Sequence, residues 1–222
     1  MTTPGSNSSG PQDPLRRRIS HATIRVAAAC LTAIALLAIA GCTIPTSSAE
    51  QGTSRLKEAI KLSEQADAAR KAGKTDEAID LYKQAIGLDK DLYGAWNNLG
   101  TMLMEKGQYL PASDALKTAA GLAPGDPRPL ENLGLVYHRA GWDAEALRYF
   151  RQALERDPTR VESLRGMAVC AQRLNAADDD LLDDLRRALL VETDPQWRSM
   201  ISREKFRVET ALDAAKKAER QQ

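Results

Sequence analysis

The chain has 222 residues, and its 31 basic and 30 acidic side chains give a formal net charge of +1. This balance provides no basic stripe for a phosphate backbone, so nucleic acid is excluded as a partner. Only two histidines and three cysteines occur, and there is no phosphate loop or nucleophile motif, so the sequence predicts neither an enzyme nor a metal or cofactor site.

The front of the chain has the layout of an export signal. Residues 1–14 are rich in Pro, Gly and Ser, and a basic stretch follows. Its arginines are Arg16, Arg17, Arg18 and Arg25. The mostly apolar run 26–40 comes next; it is short for a membrane-spanning helix but suits the core of a signal peptide. We therefore predict a signal peptide over 1–41.

The signal ends in Ile39, Ala40, Gly41 and Cys42. An aliphatic residue, two small residues and a cysteine resemble the lipobox of bacterial lipoproteins. The resemblance implies cleavage before Cys42 and covalent lipid on that residue, which would anchor the chain in a membrane. Thr43 stands where an aspartate would retain many Gram-negative lipoproteins in the inner membrane, which implies the periplasmic face of the outer membrane. The alternative is an uncleaved anchor in which the cysteine is incidental.

A pattern with a period of 34 residues follows a polar segment, 42–54, for which we predict a flexible tether. Glycines mark the period at Gly73, Gly107 and Gly141. Small and large residues recur around them in the same register: Ala66, Gly100 and Gly134; Ala78, Ala112 and Ala146; Tyr82, Leu116 and Phe150. Such a period at helical spacing indicates stacked helix-turn-helix units. We expect the marker glycines to end each first helix with a positive φ.

This pattern resembles the tetratricopeptide repeat (TPR), most closely in residues 127–160. The resemblance implies an all-α TPR solenoid of about four helix-turn-helix repeats, with a C-terminal capping helix. The terminal units are degenerate, as expected where an array meets water. The predicted array covers 55–194, with repeats at about 59–92, 93–126, 127–160 and 161–194.

Two helix starts are predicted near the end of the chain. Asp178 lies in an acidic run, and this residue or a neighbour is expected to cap a helix N-terminus. Asp194 is expected to cap the last helix, with Pro195 at its first position. That helix, 195–222, is predicted to cover the open edge of the last repeat.

In stacked TPR units the first helices line a concave groove, where we predict that a protein partner binds. The candidate groove residues are Ser63, Asp67, Arg70, Asn97, Asn98, Thr101, Glu105, Arg128, Glu131, Asn132, Leu135 and His138. Asn98 and Asn132 are equivalent, and an amide can both donate to and accept from a peptide backbone. This resembles the asparagine ladder of some TPR proteins; the alternative is that these amides bond locally. The dicarboxylate clamp of chaperone-binding TPR domains is rejected, because only Asn98 and Arg128 match it.

Two further residues are singled out by their isolation. Cys170 is predicted to be a small buried apolar residue without an activating neighbour. Trp142 follows a turn glycine and is expected either to contact a partner or the membrane interface, or to pack over its own turn.

A lipid-anchored TPR scaffold resembles two groups of bacterial lipoproteins. The first comprises TadD-like proteins and type IV pilus pilotins, which help a secretin ring assemble in the outer membrane. The second comprises adaptors that dock peptidoglycan hydrolases or synthases. We predict the pilotin role, with a secretin subunit as the partner, and keep the adaptor role as the alternative.

Overall fold

The computed structural model describes residues 48–221; the predicted signal peptide, Cys42 and the start of the tether lie outside them. Residues Gln51–Gln222 form one compact unit. The described residues contain nine α-helices and no strand. The helices are α1 Ser48–Lys71, α2 Thr75–Leu88, α3 Tyr93–Glu105, α4 Tyr109–Leu122, α5 Arg128–Arg139, α6 Asp143–Arg156, α7 Val161–Leu174, α8 Asp179–Val191 and α9 Pro195–Glu219. Within this part of the chain, no helix has the length and apolarity needed to cross a membrane.

The helices follow one another as helix-turn-helix pairs, and the first helices of successive pairs also contact each other. Such neighbour-to-neighbour contact is the arrangement of a solenoid. Two apolar clusters form the interior. The first cluster draws on α1 to α6 between Ala66 and Ala153. The second draws on α6 to α9 between Ala146 and Val208. The predicted all-α TPR solenoid is confirmed.

The turn between the helices of each repeat has one geometry. Gly73, Gly107 and Gly141 have φ of +74°, +73° and +84°, as the sequence predicts. Asn175 lies 34 residues after Gly141 and has φ +52°, a region that asparagine adopts more readily than most residues. In all four turns the next N–H donates to the carbonyl five residues earlier, as from Lys74 to Ala69. The turns therefore repeat even where the glycine does not.

Glycines inside the helices allow close approach. A Cβ on Gly134 would lie 2.7 Å from the Phe150 ring, and one on Gly100 would lie 2.5 Å from Leu116 Cγ. A Cβ on Gly166 would also overlap the Phe150 ring. The fully buried Phe150 ring thus lies between a glycine of α5 and a glycine of α7.

The sequence predicted the C-terminal end of the array correctly and the N-terminal end incorrectly. Asp178 caps α8 by accepting a hydrogen bond from the Leu181 N–H, and Asp194 caps α9. Helix α9 packs Ile201 and Val208 into the second cluster, so it covers the last repeat as predicted. The tether prediction was wrong for residues 48–54, because α1 begins at Ser48. That stretch contains no proline, and its single glycine costs a helix only about 1 kcal/mol.

Candidate functional site

A chain of hydrogen bonds joins three first helices along the predicted groove. Asn132 Nδ2 donates to Asn97 Oδ1 at 3.0 Å, from α5 to α3. Asn97 Nδ2 donates to Asn98 Oδ1 at 3.3 Å, and Asn98 Nδ2 donates to Asp67 Oδ1 of α1 at 3.2 Å. All four side chains are half-buried. We call these four residues the amide network.

Asp67 terminates the amide network and is held by two further groups. Tyr82 Oη donates to Asp67 Oδ1 at 2.5 Å, and Arg70 Nη2 lies 3.7 Å from the same oxygen. Burial and the bond to Asp67 raise the pKa of Tyr82 to about 12. The carboxylate therefore has a fixed position at the edge of the first cluster.

The two predicted ladder residues do not bond to each other, since Asn132 reaches Asn97 and Asn98 reaches Asp67. The structure thus has the local bonding that was the alternative to a free ladder. Each amide nevertheless keeps a second N–H, and Asn132 Oδ1 accepts no hydrogen bond within the described part of the chain. These groups can still bond to a peptide backbone.

Other predicted groove residues are less available. Thr101 Oγ1 donates to the Asn98 carbonyl at 2.7 Å. Leu135 is half-buried and packs against both apolar clusters. Ser63 is half-buried, and Glu105 is exposed on the last turn of α3. Of these four residues, Glu105 is the one that is exposed to solvent.

Arg128 is held in place rather than free. Its Nη2 donates to Asp126 Oδ2 at 2.6 Å and to Tyr93 Oη at 2.7 Å. The hydrogen bond to Asp126 raises the pKa of the guanidinium above its ordinary value. Arg128 therefore offers a partner only part of its donor set.

The expectation that Glu131 lines the groove was wrong. Its side chain is buried, and its carboxylate accepts bonds of 2.8 Å from Arg160 Nε, Arg160 Nη2 and Ser163 Oγ. The residues that hold it lie at the start of α7, one repeat later. Glu131 thus fastens the third repeat to the fourth.

His138 lies among residues that the sequence did not group. Its Nδ1 is 2.6 Å from Asp143 Oδ1 and 3.6 Å from Cys170 Sγ. Arg173 Nε binds the other Asp143 oxygen at 2.9 Å. Cys170 is buried, as predicted, but it has an imidazole neighbour that the sequence did not reveal.

This grouping is not arranged as a catalytic triad. In a triad the nucleophile and the orienting carboxylate use different nitrogens of the imidazole, whereas here both approach Nδ1. Burial, followed by the nearby Asp143 charge, raises the pKa of the Cys170 thiol to about 12. The geometry therefore favours a neutral thiol over an activated nucleophile.

Trp142 packs over its own turn, which is one of the predicted outcomes. Its ring packs at 5.8 Å against Tyr137, which stacks on Tyr149 at 5.1 Å. The side chain is still 59% exposed, and it borders an apolar cleft beside Leu110. The sequence did not predict this cleft, because it forms between α4 and α5 of different repeats.

Comparisons with protein families agree with the repeat fold. Two family models described as tetratricopeptide repeat match residues 63–127 and 127–160. Neither describes an enzyme.

Solved TPR proteins share the fold. MamA aligns with a TM-score of 0.58 and 17% identity, over 73% of this chain and 90% of that one. YrrB, described as a TPR protein with an unusual peptide-binding site, aligns with a TM-score of 0.56 and 20% identity, over 73% of this chain and 87% of YrrB. The first TPR of Spaghetti (RPAP3), solved with an HSP90 peptide, aligns with a TM-score of 0.53 and 22% identity, over 54% of this chain and 95% of that domain. These identities support the fold alone.

Among curated proteins the chain is similar to BBSome complex member BBS4. The Xenopus tropicalis protein is 29% identical over 120 residues, which is 54% of this chain and 23% of that protein. The Bos taurus protein is 31% identical over 107 residues, which is 48% of this chain and 21% of that protein. The match thus spans less than a quarter of these relatives' length. The shared feature is the repeat, which is a scaffold for contacts between proteins.

Proposed function

Because residues 63–160 are tetratricopeptide repeats, we propose that the chain is a scaffold whose groove binds a segment of a protein partner. We propose a secretin subunit as that partner, so that the chain acts as a pilotin for a pilus or secretion system. Lipid on Cys42 would hold it at the periplasmic face of the outer membrane. The observation that carries the binding role is the amide network.

The chemistry of the network suits recognition of a peptide backbone. Its three amides are neutral and half-buried, and each can exchange one hydrogen-bond partner for another. Such an exchange costs little, because one bond of similar strength replaces another. An amide also matches both the C=O and the N–H of a peptide. The groove can therefore bind a chain without reading its full sequence.

Two charged residues of the predicted groove, Glu131 and Arg128, are already engaged within the chain, so the partner does not need charges to pair with them. Glu131 is buried and Arg128 is paired with Asp126, so neither offers a free charge. The peptide complex of the Spaghetti TPR and the peptide site of YrrB support a peptide segment as the class of ligand. We propose that this segment binds mainly through its backbone, across α1, α3 and α5.

Copurification tests the partner. The lipidated full chain is isolated from detergent-solubilised envelopes after mild crosslinking, and its partners are identified by mass spectrometry. We expect a secretin subunit as the dominant partner. Cell-wall hydrolases or synthases in its place would overturn the pilotin role and support the adaptor alternative.

Variants test whether the groove is the site. The double variant Asn97→Ala, Asn98→Ala should reduce partner recovery by at least about fivefold, since losing two hydrogen bonds costs 1 kcal/mol or more. Gln84→Ala is the matched control, because Gln84 is an exposed amide on the second helix α2. Equal recovery from the double variant and the control would exclude the amide network as the binding surface.

The lipid is tested separately with Cys42→Ser. This variant should fold normally and still bind the partner in detergent, but the secretin should no longer reach the outer membrane. Secretin multimers that form there as usual would overturn the proposed role of Cys42.

A further inference from the structure

Three potential metal ligands of different chemical kinds meet between the third and fourth repeats. They are His138 at the end of α5, Asp143 at the start of α6 and Cys170 on α7, and one ligand atom from each residue lies within 4.8 Å of the other two. The sequence hides this grouping, because positions 138, 143 and 170 match no compact ligand motif. The proposed scaffold role does not use these three residues together.

We propose that His138, Asp143 and Cys170 form a binding site for a zinc-class transition-metal ion, with a fourth position open to water or to a partner's side chain. Imidazole, thiolate and carboxylate are the three protein ligands that zinc accepts. Catalytic zinc sites have three such ligands and an open position, whereas structural sites have four.

The geometry needs little adjustment. Ligand atoms around tetrahedral zinc lie roughly 3.3 to 3.8 Å apart, given bonds of about 2.0 to 2.3 Å. The distance between His138 Nδ1 and Cys170 Sγ is 3.6 Å, whereas Nδ1 and Asp143 Oδ1 are 2.6 Å apart. A rotation of the Asp143 carboxylate that opens the shorter distance by roughly 0.7 Å would bring these two atoms to the spacing of zinc ligands. The remaining pair, an Asp143 oxygen and Cys170 Sγ, lies within 4.8 Å and would have to close to about 3.6 Å.

Protons and charges balance when the ion binds. Because a carboxylate can only accept a hydrogen bond, the contact between Nδ1 and Asp143 Oδ1 places the imidazole proton on Nδ1 before the ion binds. On binding, that proton leaves Nδ1, the imidazole carries its proton on Nε2 instead, and the Cys170 thiol releases its proton to solvent. One thiolate and one carboxylate then neutralise a divalent cation. Arg173 holds the second oxygen, Asp143 Oδ2, and leaves Oδ1 for the metal, as an outer-shell partner does.

Access comes from the side of the imidazole. Cys170 and Asp143 are buried, but the His138 side chain is 27% exposed. An ion entering past His138 would cross-link three helices from two repeats. Binding should therefore raise the thermal unfolding midpoint of the chain.

Cobalt substitution tests the site. The full chain is studied in detergent with Cys30 and Cys42 changed to serine in every variant, so that Cys170 is the only thiol. Titration with Co²⁺ should produce a near-ultraviolet sulfur-to-cobalt charge-transfer band that saturates at one equivalent. Zinc affinity is then measured by competition with a chromophoric chelator.

The variants assign the ligands. Cys170→Ser should abolish the band, and His138→Gln and Asp143→Asn should each weaken zinc binding by at least about tenfold. Asp179→Asn, an exposed residue of the acidic run, is the control and should leave the affinity unchanged. Circular dichroism checks that each variant is folded, and the partly exposed His138 keeps the test valid if Cys170→Ser does not fold.

Three results would overturn the proposal. The first is the absence of a sulfur-to-cobalt band in the folded chain that retains Cys170. The second is a folded His138→Gln variant with unchanged zinc affinity, and the third is an Asp179→Asn variant that loses it, since either would place the ion elsewhere. None of these results bears on partner binding, which Asn97 and Asn98 test separately.

Discussion

The two apolar clusters, the first drawn from α1 to α6 and the second from α6 to α9, are bordered by different polar contacts. In the first region, an apolar cluster is bordered by the half-buried neutral amides Asn97, Asn98 and Asn132. In the second, the apolar cluster is bordered by buried carboxylates, each paired with an arginine. The pairs are Glu131 with Arg160, Asp143 with Arg173, Glu192 with Arg165 and Glu204 with Arg207.

The difference separates polar contacts that can be exchanged from polar contacts that are fixed. A neutral amide at a half-buried position can exchange its partner at small cost, whereas a buried charge that loses its partner costs several kcal/mol. Adaptable polar contacts therefore lie in the first region and fixed ones in the second. Four substitutions test this comparison, from the largest effect on stability to the smallest.

Phe150→Ala should have the largest effect on stability, because we expect apolar burial to contribute most of the stability of the second region. The ring is fully buried between Gly134 and Gly166, and we expect its removal to lower the free energy of unfolding by about 4 kcal/mol. Urea unfolding followed by circular dichroism measures this. Leu110→Ala, at a side chain that is 73% exposed, should cost less than about 0.5 kcal/mol. Similar losses in both variants would contradict the assignment.

Glu131→Ala should cost about 3 kcal/mol, because it leaves the partly buried Arg160 guanidinium and Ser163 without their common acceptor. Glu155→Ala removes an exposed glutamate that pairs with Arg156 on the surface, and it should change the free energy of unfolding by no more than about 1 kcal/mol. The same urea experiment compares them. If the two variants lose equal stability, the buried pair of Glu131 and Arg160 contributes no more stability than an exposed pair does.

Glu192 should make the second region sensitive to acid. The Arg165 hydrogen bonds lower the pKa of Glu192 from 4.5 to about 2, against the opposing effect of burial. A lowered pKa adds stability above pH 4.5 and loses it as the pH falls from 4.5 to about 2. Glu192→Gln should cost about 2 kcal/mol at pH 7 and should flatten this part of the stability curve. Unfolding free energies measured across this pH range test it, and an unchanged slope would exclude Glu192 as the titrating group.

Asn97→Ala should have the smallest effect, about 1 kcal/mol or less, since its two hydrogen bonds are open to replacement by water. The expected outcome is a nearly unchanged unfolding free energy together with weaker partner recovery. A loss as large as that of Glu131→Ala would erase the distinction between the two regions.

The sequence predicted the parts of the fold that repeat. The three glycine turns and the two aspartate caps follow from local backbone chemistry, so they can be predicted from one sequence. The start of α1 was misplaced, because exposed polar helix and flexible tether have similar composition.

The sequence did not predict the pairs between neighbouring repeats. Glu131 meets Ser163 and His138 meets Cys170, and each pair is separated by 32 residues. A period of 34 residues brings positions about one repeat apart together on adjacent first helices. Comparing polar residues at that separation would have indicated both groupings. Their burial depends on how closely the helices approach, which the period alone does not give.

Gly166 illustrates the same limit. It occupies the position of Asn98 and Asn132 in the fourth repeat, where the sequence shows only a missing amide. The structure gives the reason, since any side chain at 166 would overlap the Phe150 ring.

The Phe150 ring also limits how the chain can be rebuilt from modules. Its repeat contains both the aromatic residue and Gly134, but the second glycine belongs to the following repeat. A designer who duplicated residues 127–160, or exchanged the fourth repeat for one from another protein, would have to carry a glycine at the position of 166 as well. The third and fourth repeats therefore have to be transferred together, as one module of about 68 residues, twice the 34-residue unit.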